Sequence, residues 1–181
     1  MTLFEWLRRR RATKGYGVHS PLAFRLMKNV VRPPRDVRYY GEERLMVSEE
    51  PYDIVRRARL LLRLAAELQP SYVWFSPGTP PLLTEAVRLA GGVIRVYDGE
   101  LYPDELTKAD MAVLYNFKIK KADLKKIMKP GKSLVAFNIR PKVAEWTEQL
   151  LQGGVLLEGV ESLVAVNTPL DGAHIYRISK F

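Results

Sequence analysis

The sequence predicts an α/β protein with a mostly parallel, doubly wound sheet, and three observations point to that class. Residues 70–98 read as strand, loop, helix and strand. The segment before them, 49–68, repeats apolar residues at helical spacing. Short apolar runs rich in β-branched and aromatic residues follow at 110–115 and 133–137, separated by a helical pattern. Strands that alternate with helices are typical of a parallel sheet with helices on its faces.

The segment 70–98 is the centre of this prediction. Residues 71–75 are long enough for one buried strand, and 82–90 form an amphipathic helix. Between them, 76–81 must be a loop, because its three prolines lack N–H donors and fix φ. A second strand, 93–97, closes on Asp98. The right-handed crossover of such a unit places the loop at the carboxyl edge of the sheet, where α/β proteins bind ligands.

This unit resembles the first half of a class I S-adenosylmethionine-dependent methyltransferase, whose sheet is Rossmann-like. In that family the first strand ends in an acid and a Gly-x-x-x-Gly loop, and a second acid closes the next strand to hold the ribose. Against this pattern Phe75 stands at the first acid, Pro77 at the first glycine and Pro81 at the second. Only Thr84 and Asp98 agree. The resemblance implies a methyltransferase scaffold whose ligand chemistry has largely gone.

The segment YGVHSPLAF, residues 16–24, resembles the N-terminal Gly-Val-His-Ser-Pro signature of a bacterial subgroup of these methyltransferase-like proteins. Ser20 is the predicted N-cap of a helix whose first residue is Pro21. In related folds the N-terminal helices cover the cofactor cleft, so the resemblance allows His19 to line it. The alternative, which we favour, is that His19 holds the turn by hydrogen bonding to backbone.

The resemblance also implies a strand order. After Asp98 there is room for one short helix, 103–108, before the strand at 110–115, so the family's third strand is expected to be missing. The expected order is 2-1-4-5-7-6, with an antiparallel last strand. That strand is 173–179, and it pairs with 155–166 as an antiparallel hairpin.

Two domain segments follow from this reading. Residues 1–47 are expected to form a helical extension and linker, and 48–181 the methyltransferase-like α/β domain. Ser48 is the expected cap of the helix at 49–68.

Candidate ligand residues follow from the resemblance, although it names no catalytic residue. The cofactor-binding candidates are Ser76, Gly78, Thr79, Asp98 and Asn116. Five further side chains are candidates to line the cleft: His19, Trp74, Phe75, Tyr97 and Tyr115. The aromatic rings either form a box for a planar ligand or plug a vacated cleft, and we favour plugging. Binding of S-adenosylmethionine stays open, with no cofactor as the favoured expectation.

The amino-acid composition argues against several kinds of site and segment. The chain has no cysteine, which excludes disulfides and thiol catalysis, and only two histidines, so no metal site is predicted. No apolar run approaches the roughly 20 residues of a membrane span. The first residues do not read as a signal peptide, because their charges follow the apolar patch. A cytoplasmic location is the expectation.

The formal charge of +9 is concentrated in two segments. One holds Arg8, Arg9, Arg10 and Arg11, and the other runs from Lys118 to Lys132 with seven lysines. Such clusters either bind RNA or an anionic surface or are solvated helix faces, and we favour the latter. The helix predicted at 2–13 carries Leu3, Phe4 and Leu7 on one side. We expect the helix to dock on the domain rather than lie on a membrane.

Three functions are compatible with these observations. The first is a degenerate, catalytically inactive methyltransferase-like domain, a pseudoenzyme that binds an unknown protein partner or self-associates. The second is an active methyltransferase with an atypical cofactor loop, using Gly78, Thr79 and Asp98. The third is a basic RNA- or anion-binding protein.

Overall fold

The computed structural model describes residues 3–13, 18–34, 39–91, 95–98, 103–168 and 172–178. In these residues a seven-stranded sheet lies between two layers of helices. The helices are α1 (Leu3–Thr13), α2 (Pro21–Leu26) with a π-helical turn (Met27–Val31), α3 (Glu42–Met46), α4 (Tyr52–Leu68), α5 (Pro81–Leu89), α6 (Pro103–Lys108), α7 (Lys121–Ile127) and α8 (Pro141–Leu150). The strands are β1 (Tyr72–Phe75), β2 (Arg95–Asp98), β3 (Met111–Tyr115), β4 (Ser133–Phe137), β5 (Gly154–Glu158), β6 (Ser162–Asn167) and β7 (Ala173–Arg177).

The strands follow the order β2-β1-β3-β4-β6-β5-β7 across the sheet. The first four are parallel to one another, and β7 is parallel to β5. Only β6 runs antiparallel to both strands beside it. The predicted α/β class with a mostly parallel sheet is confirmed. Within the described residues no strand lies between β2 and β3 along the chain.

The predicted end of the sheet was wrong. Residues 155–166 are not one strand but the hairpin of β5 and β6, which turns where the N–H of Gly159 donates to the carbonyl of Ser162 at 2.8 Å. The antiparallel strand is therefore β6, inserted between β4 and β5, while the last strand lies parallel at the sheet edge. The segment 155–166 is longer than an ordinary strand of about five or six residues, and Gly159 interrupts it.

Alternate side chains of the strands enter two separate cores, as pleated strands require. Val73 and Phe75 pack with α2, α4 and α5 on one face of the sheet. Trp74 packs with α6, α7 and α8 on the other. The side chains of α2 share their core with those of α4, and the predicted division at residue 47 stays a prediction.

Two predicted helix caps have different outcomes. Ser20 is confirmed as the N-cap of α2, because its hydroxyl accepts a hydrogen bond from the Ala23 N–H. The cap at Ser48 was wrong, since its hydroxyl accepts from Glu50 and α4 begins only at Tyr52, after Pro51. A residue that precedes proline is driven out of the helical region, so the helix cannot include Glu50.

Helix α1 contacts β7, as its predicted docking on the domain requires, but it leaves its apolar side exposed. Leu3 and Phe4 are 74% and 76% exposed, and Leu7 is 44% exposed. Arg9 is instead the least exposed of the described α1 side chains. No helix in the described ranges combines the length and the apolar character needed to cross a bilayer.

Candidate ligand site at the carboxyl edge of the sheet

The parallel strands β1, β3 and β4 bring their carboxyl ends to one edge of the sheet, where an α/β protein binds ligands. They end at Phe75, Tyr115 and Phe137. Because α4 precedes β1 and runs back against it, the first turns of α4 lie at the same edge, as does the start of α5. This edge is the candidate site.

The loop after β1 is bonded to the protein itself. The Ser76 N–H donates to the carbonyl of Val113 at 2.9 Å, and its hydroxyl accepts from the Tyr115 N–H, also at 2.9 Å. The Thr79 hydroxyl donates to the Ser76 carbonyl at 2.6 Å. Both side chains are buried. The Ser76 hydroxyl therefore holds the loop against β3, while the Thr79 hydroxyl closes the loop on itself.

Glycine is favoured at Gly78, where φ is +78°, in the left-handed region that L side chains rarely adopt. The residue is exposed, and the space beside its Cα is open. Thr84, which agrees with the family pattern, donates its hydroxyl to the carbonyl of Pro81, one turn earlier in α5.

Asp98 and Asn116 approach this loop through the backbone. Asp98 ends β2 and pairs in register with Phe75, while its side chain lies outside the described residues. Asn116 follows β3 with φ at +47°, and its N–H donates to the carbonyl of Phe137 at 3.0 Å. The fold thus brings four of the five cofactor candidates, together with the backbone of Asp98, to one edge.

His19 does not belong to this group. Its backbone N–H donates to the Tyr176 hydroxyl at 3.3 Å, and that of Ser20 donates to the same oxygen at 3.2 Å. Tyr176 is on β7, five places from β1 in the sheet. The turn is held by the tyrosine, and the His19 side chain is exposed.

The candidate aromatic rings are divided between the two faces of the sheet. Trp74 is fully buried on the α6–α8 face, beside Tyr97 in register and edge-to-face with Phe117 at a centroid distance of 6.1 Å. Phe75 and Tyr115 belong to the opposite core. The rings therefore do not surround one shared space.

Arg57, which the sequence analysis did not single out, occupies the edge between β3 and β4. Its guanidinium carbon lies 5.6 Å from the ring centroids of both Tyr115 and Phe137. The Nη2 atom donates to Oδ1 of Asn138 at 2.8 Å and is 3.4 Å from the Asp53 carboxylate. The side chain is only 12% exposed.

A sequence signal for Arg57 does exist. It stands on the apolar stripe of α4, three residues after Ile54 and four before Leu61, where a helix facing the core normally carries an apolar side chain. A cation buried there needs an interaction partner. Such a partner can be an acidic side chain, an amide oxygen or the face of an aromatic ring.

A second buried polar cluster lies away from this edge, between α3 and α4. Glu42 is 3% exposed and bonds Arg59 at 2.7 Å and Arg63. Although burial opposes ionisation, the hydrogen bonds from Arg63 and Arg59 hold the pKa of Glu42 below its usual value. Its other oxygen accepts from the Tyr39 N–H at 3.3 Å, so the cluster ties the segment before α3 to α4.

A third polar pair joins β1 to α6. The Tyr72 hydroxyl donates to Glu105 at 2.5 Å, and Lys108 bonds the other oxygen of that carboxylate at 2.9 Å. Burial and the neighbouring Glu105 raise the pKa of Tyr72, while the bonds from Tyr72 and Lys108 lower the pKa of Glu105. Within the described residues, no three acidic or histidine side chains are grouped so as to hold a metal ion.

Comparison with protein-family models and with curated proteins finds no match to this chain.

Proposed function

We propose that this chain is a degenerate methyltransferase-like domain that works as a binding or assembly module and does not transfer methyl groups. The observation that carries the proposal is the position of Arg57. Its guanidinium lies over the rings of Tyr115 and Phe137 and is hydrogen bonded to Asn138, at the strand ends where a cofactor of this fold would bind. A side chain of the protein thus fills part of that space.

The loop chemistry supports the same conclusion. Three of the six residues from 76 to 81 are prolines without an N–H group. Of the remaining N–H groups, those of Ser76 and Thr79 donate within the protein. Backbone N–H groups and glycine flexibility are what such loops offer an anionic or polar ligand. This loop therefore has few N–H groups that could bind a ligand.

The alternative, an active methyltransferase, is favoured by one observation. Asp98 pairs with Phe75, so a carboxylate-bearing residue ends β2 directly beside the loop that contains the exposed Gly78. A ribose bound there would use Asp98 and the Gly78 backbone.

The melting temperature of the full chain in S-adenosylhomocysteine distinguishes the two. A ligand present at a hundredfold over its Kd adds about 2.7 kcal/mol, or roughly 5–10 °C for a domain of this size. We expect no shift at millimolar ligand. A shift that Asp98→Ala abolishes, while Glu85→Ala on the exposed side of α5 leaves it intact, would establish the cofactor site and overturn the proposal.

A further inference from the structure

Helix α1 presents its apolar side to solvent. Leu3 and Phe4 are each about three-quarters exposed, and Leu7 and Trp6 are exposed beside them. A helix that packs on a domain normally turns its apolar stripe inward. In α1 the apolar side instead faces solvent, and the half-buried Arg9 lies on the side toward the domain.

The polar inner side of α1 faces the β5–β6 hairpin. Glu5 and Arg9 line a cavity of about 330 Å³ with Pro141 and Val160. At 3.6 residues per turn, Leu3, Phe4 and Leu7 fall within an arc of about 100° on the opposite side. The one acid of the helix, Glu5, is exposed but lies away from the apolar arc, where the side chains are apolar or cationic.

Arg8 and Arg10 border this apolar arc, and Arg11 falls within it, between Leu7 and Phe4. Arg8, Arg10 and Arg11 are exposed, and the Arg10 guanidinium lies 5.1 Å above the ring of Trp6. Tryptophan with flanking arginines is suited to the boundary between lipid headgroups and acyl chains. The binding of an interfacial helix increases with the apolar area that it buries and with its electrostatic attraction to anionic lipid, and α1 offers both contributions.

We propose that α1 is an interfacial helix that attaches this protein reversibly to a bilayer containing anionic lipid. RNA would pair with the arginines but leave Leu3 and Phe4 in water. A second copy would bring another arginine cluster of a +9 chain against the first, which opposes association. A bilayer with anionic lipid buries the apolar side chains and also pairs its headgroups with the arginines.

The test is sedimentation of the full chain with vesicles of phosphatidylcholine, with or without about one-third phosphatidylserine. Binding is expected on the anionic vesicles only. Replacing Arg8, Arg10 and Arg11 by glutamine should weaken it roughly a hundredfold, since each basic residue near the surface contributes about fivefold. The double substitution Phe4→Ser with Leu7→Ser should weaken it about tenfold or more.

A matched control removes the same charge elsewhere. Replacing Lys118, Lys120 and Lys125 by glutamine deletes three exposed cations around the start of α7 and should leave vesicle binding unchanged. All variants change exposed side chains, and equal melting temperatures would show that they remain folded. On binding, Trp6 emission should shift to the blue, a change that Trp6→Phe removes.

Three outcomes would overturn the proposal. One is an equal loss of binding in the arginine and lysine triple variants. Another is vesicle binding that the double substitution Phe4→Ser with Leu7→Ser leaves unchanged. The third is the absence of vesicle binding together with binding of α1 to another partner. Retention on RNA would identify RNA as that partner, and a dimer that the apolar double variant disperses would identify a second copy.

Discussion

The Arg57 guanidinium donates a 2.8 Å hydrogen bond to Oδ1 of Asn138 and so joins the second turn of α4 to the carboxyl end of β4. Asn138 has φ at +53°, a conformation in which asparagine is among the favoured L residues. The guanidinium also lies 5.6 Å from both the Tyr115 and Phe137 rings. One side chain thus links a helix to two strand ends at the candidate site.

Arg57→Ala is expected to destabilise the protein by about 2 kcal/mol, because it removes a charge-assisted hydrogen bond and cation–π contacts. Urea unfolding measures the loss. The neighbouring Arg56→Ala, at an exposed position, is the control and should change stability by less than about 0.5 kcal/mol. Equal effects of the two substitutions would mean that Arg57 has no special structural role.

Ser76→Ala should cost about 1–2 kcal/mol, because the Tyr115 N–H loses its acceptor at a part-buried position. Denaturant midpoints give the comparison. Ser71→Ala, at an exposed residue just before β1, is the matched control and is expected to be nearly neutral. A neutral Ser76→Ala would show that the hydroxyl does not hold the loop.

The stability of the protein should depend on the ionisation of Glu42. Its folded pKa lies below its usual value, so its contribution is present above the unfolded pKa, near 4.5, and is lost as pH falls through the lower folded pKa. Glu42→Gln should cost ~3 kcal/mol at pH 7, since it breaks a buried ion cluster. The difference from wild type should shrink in acid.

Glu43→Gln provides the control for that pH series. Glu43 is the exposed neighbour on α3, and its replacement should leave the pH profile of unfolding unchanged. A difference between wild type and Glu42→Gln that stays constant down to pH 3 would contradict a lowered pKa for Glu42.

Tyr72→Phe should raise the pKa of Glu105 toward its ordinary value, because the phenol is the main hydrogen-bond donor that stabilises its carboxylate. The Lys108 bond remains, so the return should be partial. NMR titration of the Glu105 side-chain carboxyl carbon measures it. Tyr52→Phe, at an exposed tyrosine, should have no effect, and an unchanged pKa in Tyr72→Phe would refute the pairing.

Local sequence rules predicted the parts of the fold that depend on neighbours along the chain. Prolines and helical spacing located the 76–81 loop and α5, and Ser20 before Pro21 located a cap. Partners distant in sequence were not predictable in this way. Nothing near Arg57 in the chain indicates that Asn138, 81 residues later, accepts its hydrogen bond.

The β5–β6 hairpin shows the same limit. Gly159 interrupts the segment 155–166, but the sequence does not show that β6 pairs with β4, and this pairing confirms that the chain reverses there. In α1 the apolar side was identified correctly, but the sequence does not show that this side faces solvent while Glu5 and Arg9 line a cavity beside the hairpin. Tertiary contacts decide both cases.

The most direct test of the proposed function is a residue-resolved NMR titration of the full chain with S-adenosylhomocysteine. We expect no saturable shift at the amides of Gly78, Asp98 and Asn116 up to millimolar ligand, because Arg57 and the bonded loop occupy the strand ends. Saturable shifts centred on those three amides, with a micromolar Kd, would contradict the account and establish a working cofactor site.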